Sequence, residues 1–162
     1  MSGTILIDSK LDEAEKYSLL AEQLEHLLDV SDPNLSKLAN FTAAVKQVFD
    51  KVSWAGFYLA DGDSLYLGPF QGKIACTRIK IGNGVCGTAA AEKRIVTVPD
   101  VDKFPGHIAC DADSRSEIVL PLIKDGTLYG VLDLDSTSLN SFGPVDEKYL
   151  ADLCAILLRK LS

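Results

Sequence analysis

The chain has 162 residues, of which 47% are hydrophobic and 24% are charged, with 16 basic and 23 acidic side chains. This length suits one domain, residues 1–162, that buries a core without metal or disulfide support. The formal net charge of −7 argues against nucleic-acid or anionic-membrane binding, because phosphate recognition needs a basic surface. No apolar run approaches the roughly 18 residues of a membrane span. Residues 1–9 lack a signal-peptide pattern, so we expect a cytoplasmic protein.

Three segments have the apolar spacing of amphipathic helices. Apolar residues recur at three- and four-residue steps over residues 17–27 and again over residues 35–48, with a break at residues 31–33. A third stripe covers residues 150–161 near the end of the chain. Cys154 lies among the leucines of this last stripe, where a thiol behaves as a small hydrophobe, and we expect it to pack in the core.

Between these helices the pattern changes to short strands joined by turns. Residues 84–92 are the exception, because a Gly-rich turn there leads into a short Ala-rich helix. Mostly hairpin-linked strands with helices at both ends predict an α+β fold with one largely antiparallel sheet. The predicted strands cover residues 53–59, 64–70, 77–81, 94–98, 116–123 and 127–135.

Cys76, Cys86 and Cys110 lie in turn-rich sequence, where a side chain can meet solvent or a ligand. Cys86 precedes or opens the short helix, whose free N–H groups and dipole favour a thiolate. Cys110 has one histidine and one arginine nearby, which favour a thiolate, and two aspartates, which oppose it. These positions fit a reactive set, although three unrelated loop thiols would have the same spacing.

Two cofactor interpretations fit the spacing poorly. A zinc site would draw on Cys76, Cys86, His107 and Cys110, but these lack the paired Cys-x2–4-Cys spacing of zinc knuckles. Residues 82–87 contain Gly-x-Gly-x-x-Gly without the βαβ context and acidic partner of a dinucleotide site. We therefore expect no metal, and we interpret the glycines as a tight turn that shapes a pocket.

Acidic residues alternate with leucines on the last predicted strand. Asp133 and Asp135 leave one face of that strand, and Leu132 and Leu134 leave the other. A plain two-residue turn in the hairpin sets Glu117 opposite Leu134, whereas a one-residue bulge or a three-residue loop sets it beside Asp135. The acids form either a solvated sheet face or a site that binds a cation or donates a proton.

The cysteine-bearing segments share their sequence with one known family. Together they resemble the free methionine-(R)-sulfoxide reductases, which are small enzymes built as a lone GAF domain. The resemblance covers nearly the whole chain and implies a six-stranded antiparallel GAF sheet, with the terminal helices on one face and the ligand pocket on the other. The segments are 54–58 (WAGFY), 67–73 (LGPFQGK), 84–90 (GVCGTAA), 104–111 (FPGHIACD), 114–119 (SRSEIV) and 132–136 (LDLDS).

The resemblance also implies an activity, the reduction of free methionine-(R)-sulfoxide. A thiolate attacks the sulfoxide sulfur while an acid protonates the oxygen, which gives methionine and a cysteine sulfenic acid. A second cysteine then forms a disulfide, and an external dithiol such as thioredoxin reduces it. The implied partners are the sulfoxide, thioredoxin and a second copy of the chain, since terminal helices commonly support dimers in such domains. No cofactor beyond the external dithiol is expected.

On this basis Cys110 is predicted to be the nucleophile, with Cys86 and Cys76 as the two candidates for the resolving cysteine. Cys86 remains an alternative nucleophile, because its position at a helix start also favours a thiolate. Two other functions compete with the enzyme. A GAF sensor that binds a small ligand such as a cyclic nucleotide leaves the three cysteines unexplained, and a small interaction module explains neither the cysteines nor the acids.

The remaining roles fall to acids and aromatic residues. Glu117 and Asp135 are the expected partners of the sulfoxide oxygen, and Asp133 suits the substrate ammonium. Trp54 and Tyr58, four residues apart, leave the same strand face. They form an apolar wall around the substrate methyl group or, alternatively, part of the core.

Overall fold

The computed structural model describes residues 4–162, which contain the predicted helices and strands. No helix in this part of the chain is long and apolar enough to cross a membrane. The helices are α1 (Glu13–Leu27), α2 (Asn34–Val48), α3 (Gly84–Glu92) and α4 (Pro144–Lys160). The strands are β1 (Trp54–Asp61), β2 (Ser64–Gln71), β3 (Arg78–Lys80), β4 (Val96–Val98), β5 (Ser116–Lys124) and β6 (Thr127–Ser136).

The six strands form one sheet in the order β3-β2-β1-β6-β5-β4, and every neighbouring pair is antiparallel. This confirms the predicted α+β architecture. The two edge strands, β3 and β4, have three residues each and are shorter than the predicted ranges 77–81 and 94–98. An edge strand pairs on one side only, so fewer hydrogen bonds hold its ends in place.

Alternation along the strands divides the core between the two faces of the sheet. On β1, Ala55 and Phe57 pack against α1, α2 and α4, and Cys154 lies in the same cluster, as predicted. Trp54 and Tyr58 point to the opposite face, where α3 covers part of the sheet. The helices that bury the first face leave the second face free to form a pocket.

The β5–β6 hairpin contains a bulge. Lys124 pairs with Thr127 across a two-residue turn, but the register shifts between Leu122 and Ile123. Leu122 therefore pairs with Gly130. A glycine is needed there, because a Cβ atom on Gly130 would lie 2.3 Å from a backbone oxygen of β1.

The bulge decides the position of Glu117. After the shift, Glu117 pairs with Asp135 across the sheet, and Val119 pairs with Asp133. The turn alone would have set Glu117 opposite Leu134, so the bulged alternative is confirmed. All three carboxyl groups consequently leave the face of the sheet that α1, α2 and α4 do not cover.

A substitution of Leu132 tests whether this residue is buried on the face of the sheet that the helices cover. Its side chain is fully buried against the helices, and Leu132→Ala is expected to lower the free energy of unfolding by about 2–5 kcal/mol, because it removes buried apolar groups and leaves a cavity. Leu35 on α2 is 68% exposed and provides the control. Leu35→Ala should change the free energy of unfolding by less than about 0.5 kcal/mol. Urea denaturation measures both, and equal losses would contradict the placement of Leu132.

Candidate functional site

A cavity lies on the sheet face opposite α1, α2 and α4. Its walls come from β1, β5 and β6, from the start of α3, and from the loop at residues 104–115. Residues 83–86 line it, so the predicted tight turn does shape the pocket. The cavity brings together seven of the eight predicted site residues, which are Trp54, Tyr58, Cys86, Cys110, Glu117, Asp133 and Asp135.

The eighth predicted residue, Cys76, joins the site through a disulfide bond to Cys110. The two Cα atoms are 5.4 Å apart, and the bond links the loop after β2 to the loop before β5. An ion pair connects the same loops, because the Lys73 ammonium lies 3.8 Å from Asp111 and also pairs with Asp113. Cys86 remains a free thiol. The zinc set considered from sequence is not available in this state, since two of its four ligands are bonded to each other.

Cys86 does not have the lowered thiol pKa that its place in α3 suggested. It is the third residue of the helix, but its side chain is buried. Burial raises the pKa of this thiol well above its usual value, and the charges of Asp133, Glu117 and Asp135 raise it further. The expectation of a helix-start thiolate is therefore wrong, because desolvation and three nearby carboxyl groups outweigh the helix dipole.

The surroundings of Glu117 favour its protonated form. Burial raises its pKa from the ordinary 4.5 to about 8, and the charge of Asp135 adds to the shift. One carboxyl oxygen lies 3.9 Å from the Sγ atom of Cys86, and the other lies 3.7 Å from Nε2 of His107. At neutral pH Glu117 therefore holds a proton, which a general acid requires.

Asp133 is buried and Asp135 is partly buried, so neither is a fully solvated surface acid. Burial raises the pKa of both carboxyl groups well above the usual value, and the neighbouring acids raise them further. Ser114 donates a hydrogen bond of 3.1 Å to Asp135, whereas Oδ1 of Asp133 has no hydrogen-bond partner among the described residues. A buried oxygen without a partner is costly, so this atom suits a donor on a bound ligand.

Trp54 and Tyr58 form an aromatic wall and also hold a cysteine loop. The Trp54 ring stacks on Tyr58 at 6.0 Å and on Phe70 at 5.4 Å between centroids. The indole N–H of Trp54 donates to the carbonyl of Lys73, and the Tyr58 hydroxyl donates to the carbonyl of Cys76, both at 3.0 Å. The two rings thus fix the segment that carries Cys76.

The sequence did not predict that two further residues contact the acidic side chains. Ser114 binds Asp135, and His107 lies beside Glu117. Both belong to the loop around Cys110. The contact between this loop and the strands is a tertiary contact, and the periodicity of the sequence does not predict it. Their closeness to Cys110 in the sequence was the available signal.

Cys86, Glu117 and Asp133 form a compact group of buried polar side chains. Ligand atoms of Cys86, Glu117 and Asp133 lie within 4.8 Å of one another, which is close enough for a cation. Without a cation between them, burial raises the pKa of all three groups, which favours their protonated forms. The same groups can donate and accept hydrogen bonds in their protonated forms.

A profile of the GAF domain matches residues 21–158. The chain belongs to the GAF domain family. The GAF fold expected from the sequence is therefore confirmed. A solved structure described as that of the GAF domain superposes with a TM-score of 0.93 at 37% identity, covering 98% of this chain and 94% of that chain.

Relatives of this GAF domain protein include named reductases. It is 46% identical over 152 residues to the free methionine-R-sulfoxide reductase of Escherichia coli (strain K12), covering 94% of this chain and 92% of the relative. The solved free methionine-R-sulfoxide reductase of Neisseria meningitidis, in complex with its substrate, has a TM-score of 0.89 and 46% identity over 96% of this chain and 93% of that chain. The chain thus belongs to the family that contains these reductases, and the resemblance noted from the sequence is confirmed.

The raised pKa of Glu117 predicts how stability depends on pH. Between about pH 4.5 and pH 8 the folded protein holds a proton on Glu117 that the unfolded chain has lost. The free energy of unfolding should therefore fall as the pH rises through this window, by up to about 1.4 kcal/mol per pH unit for this group. Urea denaturation at a series of pH values measures the slope.

Glu117→Gln should reduce this slope, and the remainder should come from Asp133 and Asp135, whose raised pKa values have the same sign. Glu22, exposed on α1, offers the matched control Glu22→Gln. An unchanged slope in Glu117→Gln would contradict the buried, protonated state of Glu117.

Proposed function

We propose that this protein reduces free methionine-(R)-sulfoxide to methionine as a thiol-dependent oxidoreductase. The observation that carries the proposal is one cavity that combines Cys110, which is disulfide-bonded to Cys76, with a buried, protonated carboxyl group. The named relatives support it, because one of them has been solved with its substrate. A non-catalytic ligand sensor would require neither feature.

The reaction begins with attack of the Cys110 thiolate on the sulfoxide sulfur. Glu117, assisted by Asp135, gives a proton to the oxygen as the sulfur–oxygen bond breaks, and the oxygen ends on Cys110 as a sulfenic acid. Methionine is the reduced product. The Cys76 thiol then attacks the sulfenic acid, which forms the disulfide and releases the oxygen as water. An external dithiol, thioredoxin in our proposal, reduces the disulfide and restores both thiols.

Cys76 is the better candidate for the resolving cysteine. It already bonds to Cys110 across 5.4 Å between Cα atoms, whereas Cys86 is buried among three acids. A neutral, buried thiol reacts slowly, because the thiolate is the reactive form. In our proposal Cys86 stays reduced and supports Glu117 through their 3.9 Å contact.

The other predicted roles follow from what each side chain offers. The unpartnered oxygen of Asp133 accepts from the substrate ammonium, and that positive charge would stabilise the carboxylate form. Trp54 and Tyr58 form the wall for the substrate methyl group. Backbone N–H groups at residues 110–116 hold the substrate carboxylate. We further propose that residues 1–162 form one GAF domain, that two copies associate through their terminal helices, and that the protein works in the cytoplasm without a bound cofactor.

A direct assay of both sulfoxide epimers tests the proposal. Reduced protein is incubated with free methionine-(R)-sulfoxide or with the S form in the presence of dithiothreitol, and methionine is quantified. We expect repeated turnover of the R form only. Absence of turnover with the R form would remove the enzyme interpretation.

Serine variants test the separate cysteine roles in a single turnover without reductant. Cys110→Ser should release no methionine, since it lacks the attacking sulfur. Cys76→Ser should release one equivalent and keep a sulfenic acid that a dimedone-type reagent traps on Cys110. Cys86→Ser should still form the disulfide, and Cys154→Ser, buried in the helix-side core, is the matched control. Release of one equivalent by Cys110→Ser would overturn the assignment of the nucleophile.

A further inference from the structure

In the proposed reaction Glu117 loses one proton in each cycle. Cys110 enters as a thiolate, so its own proton has gone to solvent, and the proton that ends on the sulfenic acid oxygen comes from the carboxyl group. Glu117 must therefore regain one proton in each cycle before it can act again. The need for this proton is the only point that the following inference takes from the proposed function.

Glu117 has little direct access to water. Its side chain is 8% exposed, and a sulfoxide in the cavity would cover it further. Cys86 contacts one carboxyl oxygen, while Asp135 and Asp133 face it from β6. Cys86 and Asp133 are themselves buried, and burial raises the pKa of all three neighbours, which disfavours the release of a proton from them to Glu117.

His107 lies between Glu117 and solvent. Its Nε2 atom lies 3.7 Å from the second oxygen of Glu117, and its side chain is 15% exposed, about twice the exposure of the carboxyl group. A small side-chain rotation closes that distance to a hydrogen bond. His107 also lies three residues before Cys110, in the same loop.

An imidazole is suited to this position, because one ring nitrogen can accept a proton while the other donates one. Burial lowers the pKa of His107, while the charge of Asp102, on the 3₁₀ turn at Val101–Lys103, opposes that shift. The ring is therefore largely neutral at pH 7 and free to pass a proton on. The ring lines the cavity beside Glu117 and holds no permanent charge against it.

We propose that His107 returns the proton to Glu117 in each cycle, as a relay between the buried carboxyl group and solvent. His107 acts on the reaction through Glu117 and does not act on the sulfoxide directly. The step breaks no covalent bond to carbon or sulfur. One proton enters from water at the imidazole, and one leaves the imidazole to the carboxylate.

A time-resolved infrared measurement tests the relay without any substrate. The protein is shifted from a pH above the pKa of Glu117 to a pH below it, and the return of the protonated carboxyl band is followed. Glu117→Gln identifies the band. His107→Gln and His107→Asn should slow its return at least about tenfold, a loss typical of removing a proton-transfer group. Added imidazole should restore the rate.

The chain has two histidines, so His26 on α1 provides the matched control. His26→Gln should leave the rate unchanged. A band that returns at the wild-type rate in both His107 variants would overturn the relay. A slow return that imidazole does not restore would also overturn it, because that result indicates a structural role for the ring.

A stopped-flow turnover separates this inference from the proposed function. In His107→Gln, methionine release in the first turnover should stay within about twofold of wild type, because Glu117 starts protonated, while proton uptake from a weak buffer lags behind. An equal loss in both readouts would contradict the relay. If the wild-type protein forms no methionine, the proposed function fails, and the infrared result still decides whether His107 protonates Glu117.

Discussion

Burial of three carboxyl groups on one face of the sheet is the constraint on which the chemistry of this protein depends. Water would stabilise their charged forms, and its exclusion raises the pKa of Glu117, Asp133 and Asp135 together. Like charges at this spacing raise the pKa values further, since each ionised acid disfavours ionisation of the next. The site thus keeps acidic protons at neutral pH, but carboxyl groups confined in this way reduce the stability of the fold.

The opposite face of the same strands offsets that cost. Leu132 and Leu134 flank Asp133 on β6 and are buried against the helices, while Ile118 next to Glu117 is also buried there. Each strand therefore carries an apolar residue that stabilises the fold beside an acid that destabilises it. The strand period makes these two functions inseparable, and a register slip of one residue would exchange them.

Much of this arrangement can be predicted from the sequence, because it rests on local periodicity and turn chemistry. The α3 helix, the strand faces of Trp54 and Tyr58, and the core position of Cys154 follow from short-range patterns. The position of Glu117 does not, because it depends on a bulge between Leu122 and Ile123 that the turn residues do not specify. The protonation of Cys86 cannot be predicted in this way either, because a helix start is visible in the sequence whereas burial beside carboxyl groups from other strands is not.

The short edges of the sheet restrict how this protein can meet other chains. β3 and β4 each present three residues of backbone to the outside, too few to template a long intermolecular ladder. Association by strand addition is accordingly disfavoured at both ends of the sheet.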